Sequence, residues 1–316
     1  MDHHLTDRII MTPDQPLSWL PVDLTPVEAA AAVAKVLREG LDPERCPARS
    51  NVRVPAGELL MMPAATADYA GVKIAGVAPA NPARGLPRIT GSYLLLDGPT
   101  LRPLALLDGA ALTALRTPAV TAVALDVLAE PGAAHLVLFG AGPQAYGHLD
   151  ALAAIRPLER VTVVARRPGP ARELVAYAEA RGLTADAGAP DAVAAADLVV
   201  CCTTSAEPLF DGALVPDHAA VAAVGSHDPA GRETDGALVR RATCYVESRD
   251  VALREAGDLL LARAEGATPG PGQWHNLAEL VTGRAPVPQG RPRFFKSVGM
   301  AWQDLAVAAE LHRRSR

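Results

Sequence analysis

The sequence predicts an α/β protein: a β-rich α+β segment joined to a doubly wound parallel sheet. Three observations predict it. In the first third, short segments of alternating apolar residues are separated by turn residues, the pattern of a mostly antiparallel sheet. From His135 on, strands alternate with helices at the spacing of βαβ units, which demand a parallel sheet. The first of those strands ends in Gly140-x-Gly142-x-x-Ala145, a glycine turn that opens a helix. At 316 residues the chain is long enough for about two domains.

Taken in order, Thr25-Pro26-Val27-Glu28 starts the first helix. Thr25 can cap it, Pro26 takes the first helical position and Glu28 completes a capping box; Gly40 ends it. Strands are predicted over 51–54, 58–62, 71–76, 92–97 and 104–108, punctuated by Pro63, Asn81-Pro82, Gly85-Leu86-Pro87, Asp97-Gly98 and Asp108-Gly109. A long helix follows over 110–130, stopped by Pro131-Gly132. Strands over 135–139, 161–164, 198–202, 219–224 and 244–247 then alternate with helices, one reaching about Ile155 and one over 169–181. Residues 268–272 and 286–292 are Pro/Gly-rich loops, and 300–312 reads as an amphipathic helix. The division expected is a first domain over 1–115 plus about 300–316, and a second over 116–299.

Composition narrows the function classes. With 49% hydrophobic and 21% charged residues the chain can bury a core, which excludes a disordered protein. A net charge of −5 and 4% aromatics argue against a nucleic-acid partner, which needs a basic surface or stacking platforms. The four cysteines, Cys46, Cys201, Cys202 and Cys244, form no Cys-x-x-Cys pair, so no metal site is expected; Cys201 and Cys202 read as small core residues. The N-terminal residues, with His3 and His4 among them, lack the apolar stretch of a signal peptide, and no run of 18 apolar residues occurs. The expectation is a soluble cytoplasmic protein without a membrane segment.

The glycine turn carries the first chemistry. Gly140 permits the tight turn, Gly142 lets the backbone approach a pyrophosphate, and Ala145 keeps the helix close to the strand. Ala141, Pro143 and Gln144 complete the turn, and the helix N-terminus offers N–H donors to phosphate. This is the pattern of a Rossmann-type dinucleotide site. After the next strand an NAD site wants a carboxylate for the ribose 2′-hydroxyl. The sequence has Ala165-Arg166-Arg167-Pro168 there. Two guanidiniums suit a 2′-phosphate, so NADP(H) is preferred and NAD(H) is the alternative; two solvated surface arginines would read the same.

At this point the chain resembles the ornithine cyclodeaminase/mu-crystallin family, from about Arg49 to about Leu305. The strings that carry the resemblance are Met62-Pro63-Ala64, Gly71-Val72-Lys73, Asn81-Pro82-Ala83-Arg84-Gly85-Leu86-Pro87, Leu107-Asp108-Gly109 and Leu112-Thr113-Ala114-Leu115-Arg116-Thr117. The glycine motif follows, then Thr203-Thr204-Ser205, Ala223-Val224-Gly225, Arg232-Glu233 and Phe294-Phe295-Lys296-Ser297-Val298-Gly299. The resemblance implies a homodimer built through the β-rich domain and an amino- or imino-acid substrate between the domains. It implies that Arg49, Lys73 and Arg116 hold the substrate carboxylate, with Met62 beside them. It implies cofactor contacts from Thr117, Thr203, Thr204, Ser205, Val224, Gly225, Ser226, Val298 and Gly299. Converging cations give charge-assisted, partly bidentate recognition of a carboxylate. Lys73 lies in an apolar strand, so it needs an anionic partner or a lowered pKa, and a lysine of lowered pKa can move a proton. Without the resemblance, Lys73 reads rather as an edge-strand charge facing water, and Arg116 as a helix-surface arginine.

The chain departs from cyclodeaminases in two places. They carry an Asp two residues after the Gly of the Val-Gly turn; here that position is His227, with Asp228 one further on. They carry a Glu on the strand before Met-Pro-Ala; here the matching position is Leu60, with Glu58 two residues earlier. Losing both carboxylates weakens recognition of a diamine. The expected function is therefore an NAD(P)H-dependent oxidoreductase that reduces an imino acid, with Lys73 or His227 supplying a proton. His227 reads equally as a proton donor and as a loop histidine bonded to backbone; His148 and His275 read as structural or solvent-facing. The alternatives are an ornithine or lysine cyclodeaminase using NAD catalytically, and a non-catalytic binder of a small ligand.

Overall fold

The apolar alternation of the first third closes into one sheet. The structure, a computed structural model, describes residues 8–12, 15–267 and 270–316, so His3, His4, Thr268 and Pro269 lie outside the described residues. Strand β1 (Arg8–Thr12) and β2 (Gln15–Trp19) precede helix α1 (Pro26–Arg38). Then come β3 (Ser50–Val54), β4 (Gly57–Ala65), β5 (Tyr69–Val77), β6 (Ile89–Asp97) and β7 (Pro103–Asp108). The sheet order is β1-β2-β7-β6-β5-β4-β3, antiparallel except where β2 runs beside β7. The five strands read from the sequence are present, longer at one or both ends; the β1–β2 hairpin at the edge was not anticipated. α1 begins as its sequence dictates: Glu28 Oε2 accepts from the Thr25 N–H at 2.8 Å, and Thr25 Oγ1 accepts from the Glu28 N–H at 3.3 Å.

Helix α2 (Gly109–Leu128) is started by Asp108, whose Oδ1 accepts from the Ala110 N–H at 2.8 Å. By length and composition α2 could span a membrane, but 67% of its most apolar window is buried inside the protein, the position of a core helix. After it the parallel sheet is laid down in βα steps. The elements are β8 (His135–Phe139), α3 (Pro143–Ile155), β9 (Arg160–Val164), α4 (Pro168–Glu179), β10 (Thr184–Ala187), β11 (Leu198–Cys201) and β12 (Ala220–Ala223). They continue with α5 (Gly236–Arg241), β13 (Thr243–Val246), α6 (Arg249–Glu255), α7 (Gly257–Ala264), β14 (His275–Asn276), α8 (Leu277–Val281) and β15 (Arg293–Lys296). All pairings are parallel, in the order β10-β9-β8-β11-β12-β15-β13-β14. The order reverses at β8 and β11, and open α/β sheets bind ligands at the strand carboxyl ends beside such a switch.

β15 corrects the sequence reading, which left it without a strand. It sits inside the sheet between β12 and β13, with both charged ends buried. Arg293 donates to the carbonyls of Leu128 (2.9 Å) and His218 (2.6 Å) and lies 3.3 Å from Glu130 Oε1, and Lys296 pairs with Asp258. His275, read as a loop residue, lies in the short strand β14 beside Tyr245. Helix α9 (Ala301–Arg314) closes the chain. It is not amphipathic in the expected sense: nearly every residue from Ala301 to His312 is buried, including Gln303 and Asp304.

The chain divides into two units. The first comprises the described part of Met1–Ala32, with Arg45–Arg116 and Met300–Arg316; the second comprises Val33–Glu44 and Thr117–Gly299. Val33–Glu44 groups with the second because Glu44 accepts from Ser248 Oγ (2.6 Å), the Arg249 N–H (3.1 Å) and Asn276 Nδ2 (3.0 Å). In the first unit α9 packs on β4, β5 and β6, and Met62, Lys73, Tyr93 and Leu95 are buried.

Candidate active site

Two constellations carry chemistry, one in each unit. In the first unit the period-two alternation of β5 turns Lys73 inward with Gly71 and Ala75, opposite Met62 of β4 and Tyr93 of β6. Lys73 is only 3% exposed. Its Nζ lies 3.0 Å and 2.8 Å from the two oxygens of Asp304 on α9 and donates to Thr113 Oγ1 at 3.1 Å. Arg116, one turn beyond Thr113 on α2, donates through Nη1 to Gln303 Oε1 at 2.6 Å. Its Nε is 3.4 Å from Asp304 Oδ1. Two buried cations thus share one carboxylate, which leaves an excess positive charge in a low-dielectric place. Burial is the main force lowering Lys73, to about 8; Asp304 opposes it, while Arg116 and Arg49 push the same way as burial. Arg49 is half-buried and close enough to act on Lys73. The cluster suits an anion with a nearby proton acceptor.

The helix partners Asp304 and Gln303 escaped the sequence reading, as did Thr113 and Tyr93. Tyr93 is fully buried, its hydroxyl has no hydrogen-bond partner among the described residues, and burial raises its pKa well above the ordinary value. A side chain at Gly71 would overlap that hydroxyl, which explains the glycine. The available signal for α9 was Gln303-Asp304 inside an otherwise apolar helix face. Glu58 lies on the same face of β4 as Met62, and its Oε2 accepts from Asn51 Nδ2 at 2.9 Å; Leu60, between them, is half-buried.

In the second unit a cleft of about 820 Å³ opens at the carboxyl ends of β8, β9 and β11. Gly140, Ala141, Gly142, Arg166, Arg167, Thr203, Thr204 and Ser205 are among its walls. Gly140 has φ +104, and a Cβ there would stand 2.7 Å from the Cys202 carbonyl, so only glycine makes this turn. Gly142 faces open space and caps α3 without a side-chain hydrogen bond, which leaves the helix N–H groups for a ligand. Pro143 and Gln144 form the first turn of α3, and Ala145 is fully buried against the sheet. The residues present fit a dinucleotide: the start of α3 at Gly142 has open space and no side-chain cap, and Arg166 and Arg167 stand in the same walls. Outside the walls, Gln144 Oε1 and Thr117 Oγ1 are buried polar atoms with no hydrogen-bond partner among the described residues. No carboxylate stands among the cleft walls, while both exposed guanidiniums do.

Cys202 is not a plain core residue as read from the sequence. It lines this cleft, its Sγ 3.5 Å from His148 Nδ1. Burial lowers His148 to about 4, and the ring bonds Gln144 O and Thr121 Oγ1, so it is structural. Val224, Gly225 and Ser226 follow β12, and Val298 and Gly299 follow β15; none is among the walls of the cleft. The N–H groups of Val298 and Gly299 donate to Glu247 Oε2 at 3.0 and 2.9 Å. Glu233, beneath Thr203 and Gly225, is pushed up to about 7 by burial, against the pull of Lys296. His227 is exposed in the turn after β12. Asp228 accepts from the Ala230 N–H at 2.9 Å, so its carboxylate is occupied within that turn.

The model of the Ornithine cyclodeaminase/mu-crystallin family matches residues 28–316. The chain belongs to this family. Over 226 residues it is 35% identical to the ketimine reductase mu-crystallin of Mus musculus, an alignment spanning 72% of this chain and 69% of that one. Over 250 residues it is 35% identical to the Delta(1)-pyrroline-2-carboxylate reductase of Paracoccus denitrificans, spanning 77% and 78%. Among solved structures, the Thermococcus litoralis Delta(1)-pyrroline-2-carboxylate reductase in complex with NADH and L-proline superposes with a TM-score of 0.87. That pair is 28% identical and covers 95% of this chain and 97% of the other.

Proposed function

We propose that this protein is an NAD(P)H-dependent reductase of imino acids, either cyclic imine carboxylates or open ketimines. The observation that carries the reading is the buried pair Lys73 and Arg116 sharing the single carboxylate of Asp304. An α-carboxylate entering this cluster supplies the missing negative charge, and the cations offset its desolvation. Arg49 adds a third positive group and Met62 an apolar wall. The nucleotide is assigned to the second unit, over Gly140, Ala141, Gly142, Pro143, Gln144 and Ala145, with further contacts from Thr117, Thr203, Thr204, Ser205, Val224, Gly225, Ser226, Val298 and Gly299. When bound, the reduced nicotinamide supplies a hydride to the imine carbon. The chain's own part is to hold the carboxylate, which fixes the carbon for attack, and to give a proton to the imine nitrogen. Lys73 is assigned that proton, because its pKa near 8 keeps it protonated yet a competent acid at neutral pH; His227 is the second candidate.

Oxidation of NADPH against a panel of 2-oxo acids with ammonia or methylamine, and of cyclic imino acids, tests the reading. Net NADPH consumption supports it. Turnover of ornithine or lysine with ammonia release and no net cofactor change would make the protein a cyclodeaminase. Tight ligand binding without turnover would make it a binder.

The preference for NADP(H) rests on Arg166 and Arg167 in a cleft wall without carboxylates. Replacing both by alanine is expected to raise the NADPH dissociation constant about 10- to 100-fold, the loss of two charge-assisted contacts, while NADH affinity changes little. An unchanged NADPH constant, read by nucleotide fluorescence, removes the 2′-phosphate assignment.

A homodimer through the first unit is proposed on the outer face of its sheet. Val52, Leu59, Met61 and Ile74 are 37–47% exposed and adjacent across β3, β4 and β5. Replacing Met61 and Ile74 by lysine is expected to yield monomers in equilibrium sedimentation, and a monomeric parent protein would end this proposal.

A further inference from the structure

The cleft loop at Thr203 is tied from behind to the turn after β12 by a carboxylate that is absent from the cleft walls. Glu233 is fully buried. Its Oε1 accepts from the Thr203 N–H at 2.7 Å and from the Thr203 hydroxyl at 2.8 Å. Its Oε2 accepts from the Gly225 N–H at 2.7 Å. Thr203 follows β11 and lines the cleft, whereas Gly225 follows β12. One carboxylate therefore sets the spacing of two loops at adjacent strand ends.

Glu233 is itself held. Asp258 Oδ1 accepts from the N–H groups of Glu233 and Thr234, each at 2.8 Å, and from the Thr234 hydroxyl at 2.9 Å. Asp258 Oδ2 lies 2.9 Å from Lys296 Nζ, which donates to the Ser226 carbonyl at 2.8 Å. Lys296 thus fastens the residue after Gly225 to the same network. The fit is close: a Cβ on Gly225 would overlap the Thr203 carbonyl oxygen. A dry cluster of two acids and a lysine gives little net stability over an apolar filling of the same volume. Its presence calls for a geometric reason, and the loops it joins supply one.

We propose that Glu233 is a positioning residue for the nicotinamide nucleotide: by clamping Thr203 to Gly225 it presets the loop 203–205 in its binding shape. The inference rests on the assignment of the cleft to that nucleotide. Preforming a loop spares the ordering cost at the moment of binding, so loss of the clamp appears in nucleotide affinity.

The test is NADPH binding to the full chain, followed by nucleotide fluorescence, together with steady-state kinetics on an imino acid. Glu233→Gln keeps the size of the side chain but turns one of its two accepting ends into a donor, facing an N–H group. The dissociation constant and KM for NADPH are expected to rise about tenfold or more, the effect of one unsatisfied buried pair. The KM for the imino acid and kcat at saturating NADPH are expected to stay within about threefold, the signature of lost binding alone. Wild-type NADPH affinity in this variant overturns the inference, as do equal losses in both KM values. If Glu233→Gln shows no cooperative melt, the Thr203 pair decides. Thr203→Val, which removes one donor to Glu233, is expected to weaken NADPH binding about threefold more than Thr203→Ser, which keeps it; equal constants overturn the inference. Failure of the parent protein to bind NADPH or NADH at all would instead remove the assignment of the cleft.

Discussion

Replacing Asp304 by asparagine is expected to destabilise the first unit by about 3 kcal/mol, because it strands two buried cations. Lys73 is 3% exposed and loses its only carboxylate partner among the described residues. It can escape by releasing its proton. Its folded pKa is already about 8, one unit above pH 7, so at that pH the escape limits the share of the cost that falls on Lys73 to about 1.4 kcal/mol. Arg116 has no such escape and keeps, among the described residues, the Gln303 bond alone. The pH dependence follows. Lys73 already has a folded pKa of about 8, below its unfolded value. Across that interval the unfolded chain binds more protons, so this group's contribution to stability rises as pH rises through about 8. In the asparagine variant the folded pKa falls further, so the same rise begins at lower pH. The gap between parent and variant is therefore largest near pH 6 and narrows towards pH 8 in urea unfolding. A gap under about 1 kcal/mol at pH 6 would show that the cluster is solvated and not a buried charge site. Lys73→Met combined with Asp304→Leu is expected to recover part of the loss, because removing both ends of a buried pair leaves no stranded charge between them.

What the residues disclosed, and what they hid, divides along the range of the interactions. Local chemistry was legible. Thr25 and Glu28 cap α1 as their spacing dictates, and Gly140 takes the turn that its place after an apolar strand demands. The alternation in β5 put Lys73 on the buried face, so its need for a partner could be stated. The identity of that partner could not, because Asp304 lies 231 residues away on a helix whose polar pair resembles a surface turn. β15 was hidden for the same reason. Arg293 and Lys296 at its ends look like strand-terminating charges until the carbonyls of Leu128 and His218, and the carboxylate of Asp258, are brought to them by the fold. Glu233 belonged to a string shared with the family but carried no assigned role, since its three donors come from loops 8 and 30 residues away. Buried ionic groups satisfied over long sequence distances leave no periodic trace, and in this chain they are the groups that shape both candidate sites.

Lys73→Met is expected to lower kcat/KM for the imino acid by about 10²- to 10⁴-fold, the range of a general acid removed together with a carboxylate contact. The informative comparison is Lys73→Arg, which keeps the positive charge but cannot release a proton in the accessible range. If Lys73 is the acid, as proposed, its working form in the parent is the protonated one, present below about 8 and lost above it. Activity is therefore expected to hold at neutral pH and fall as pH rises through about 8, far below an ordinary lysine near 10.5. In Lys73→Arg that fall should vanish. If Lys73 only grips the carboxylate, arginine should restore KM and most of kcat together. If it also gives the proton, arginine restores KM while kcat stays low, because the guanidinium remains charged throughout. A Lys73→Arg enzyme with parental kcat at pH 7 would assign the proton elsewhere, and His227 in the turn after β12 would be the group to replace next. The split between KM and kcat distinguishes the two roles because carboxylate binding is shared by ground and transition states, whereas proton donation is felt only as the carbon–nitrogen double bond is reduced.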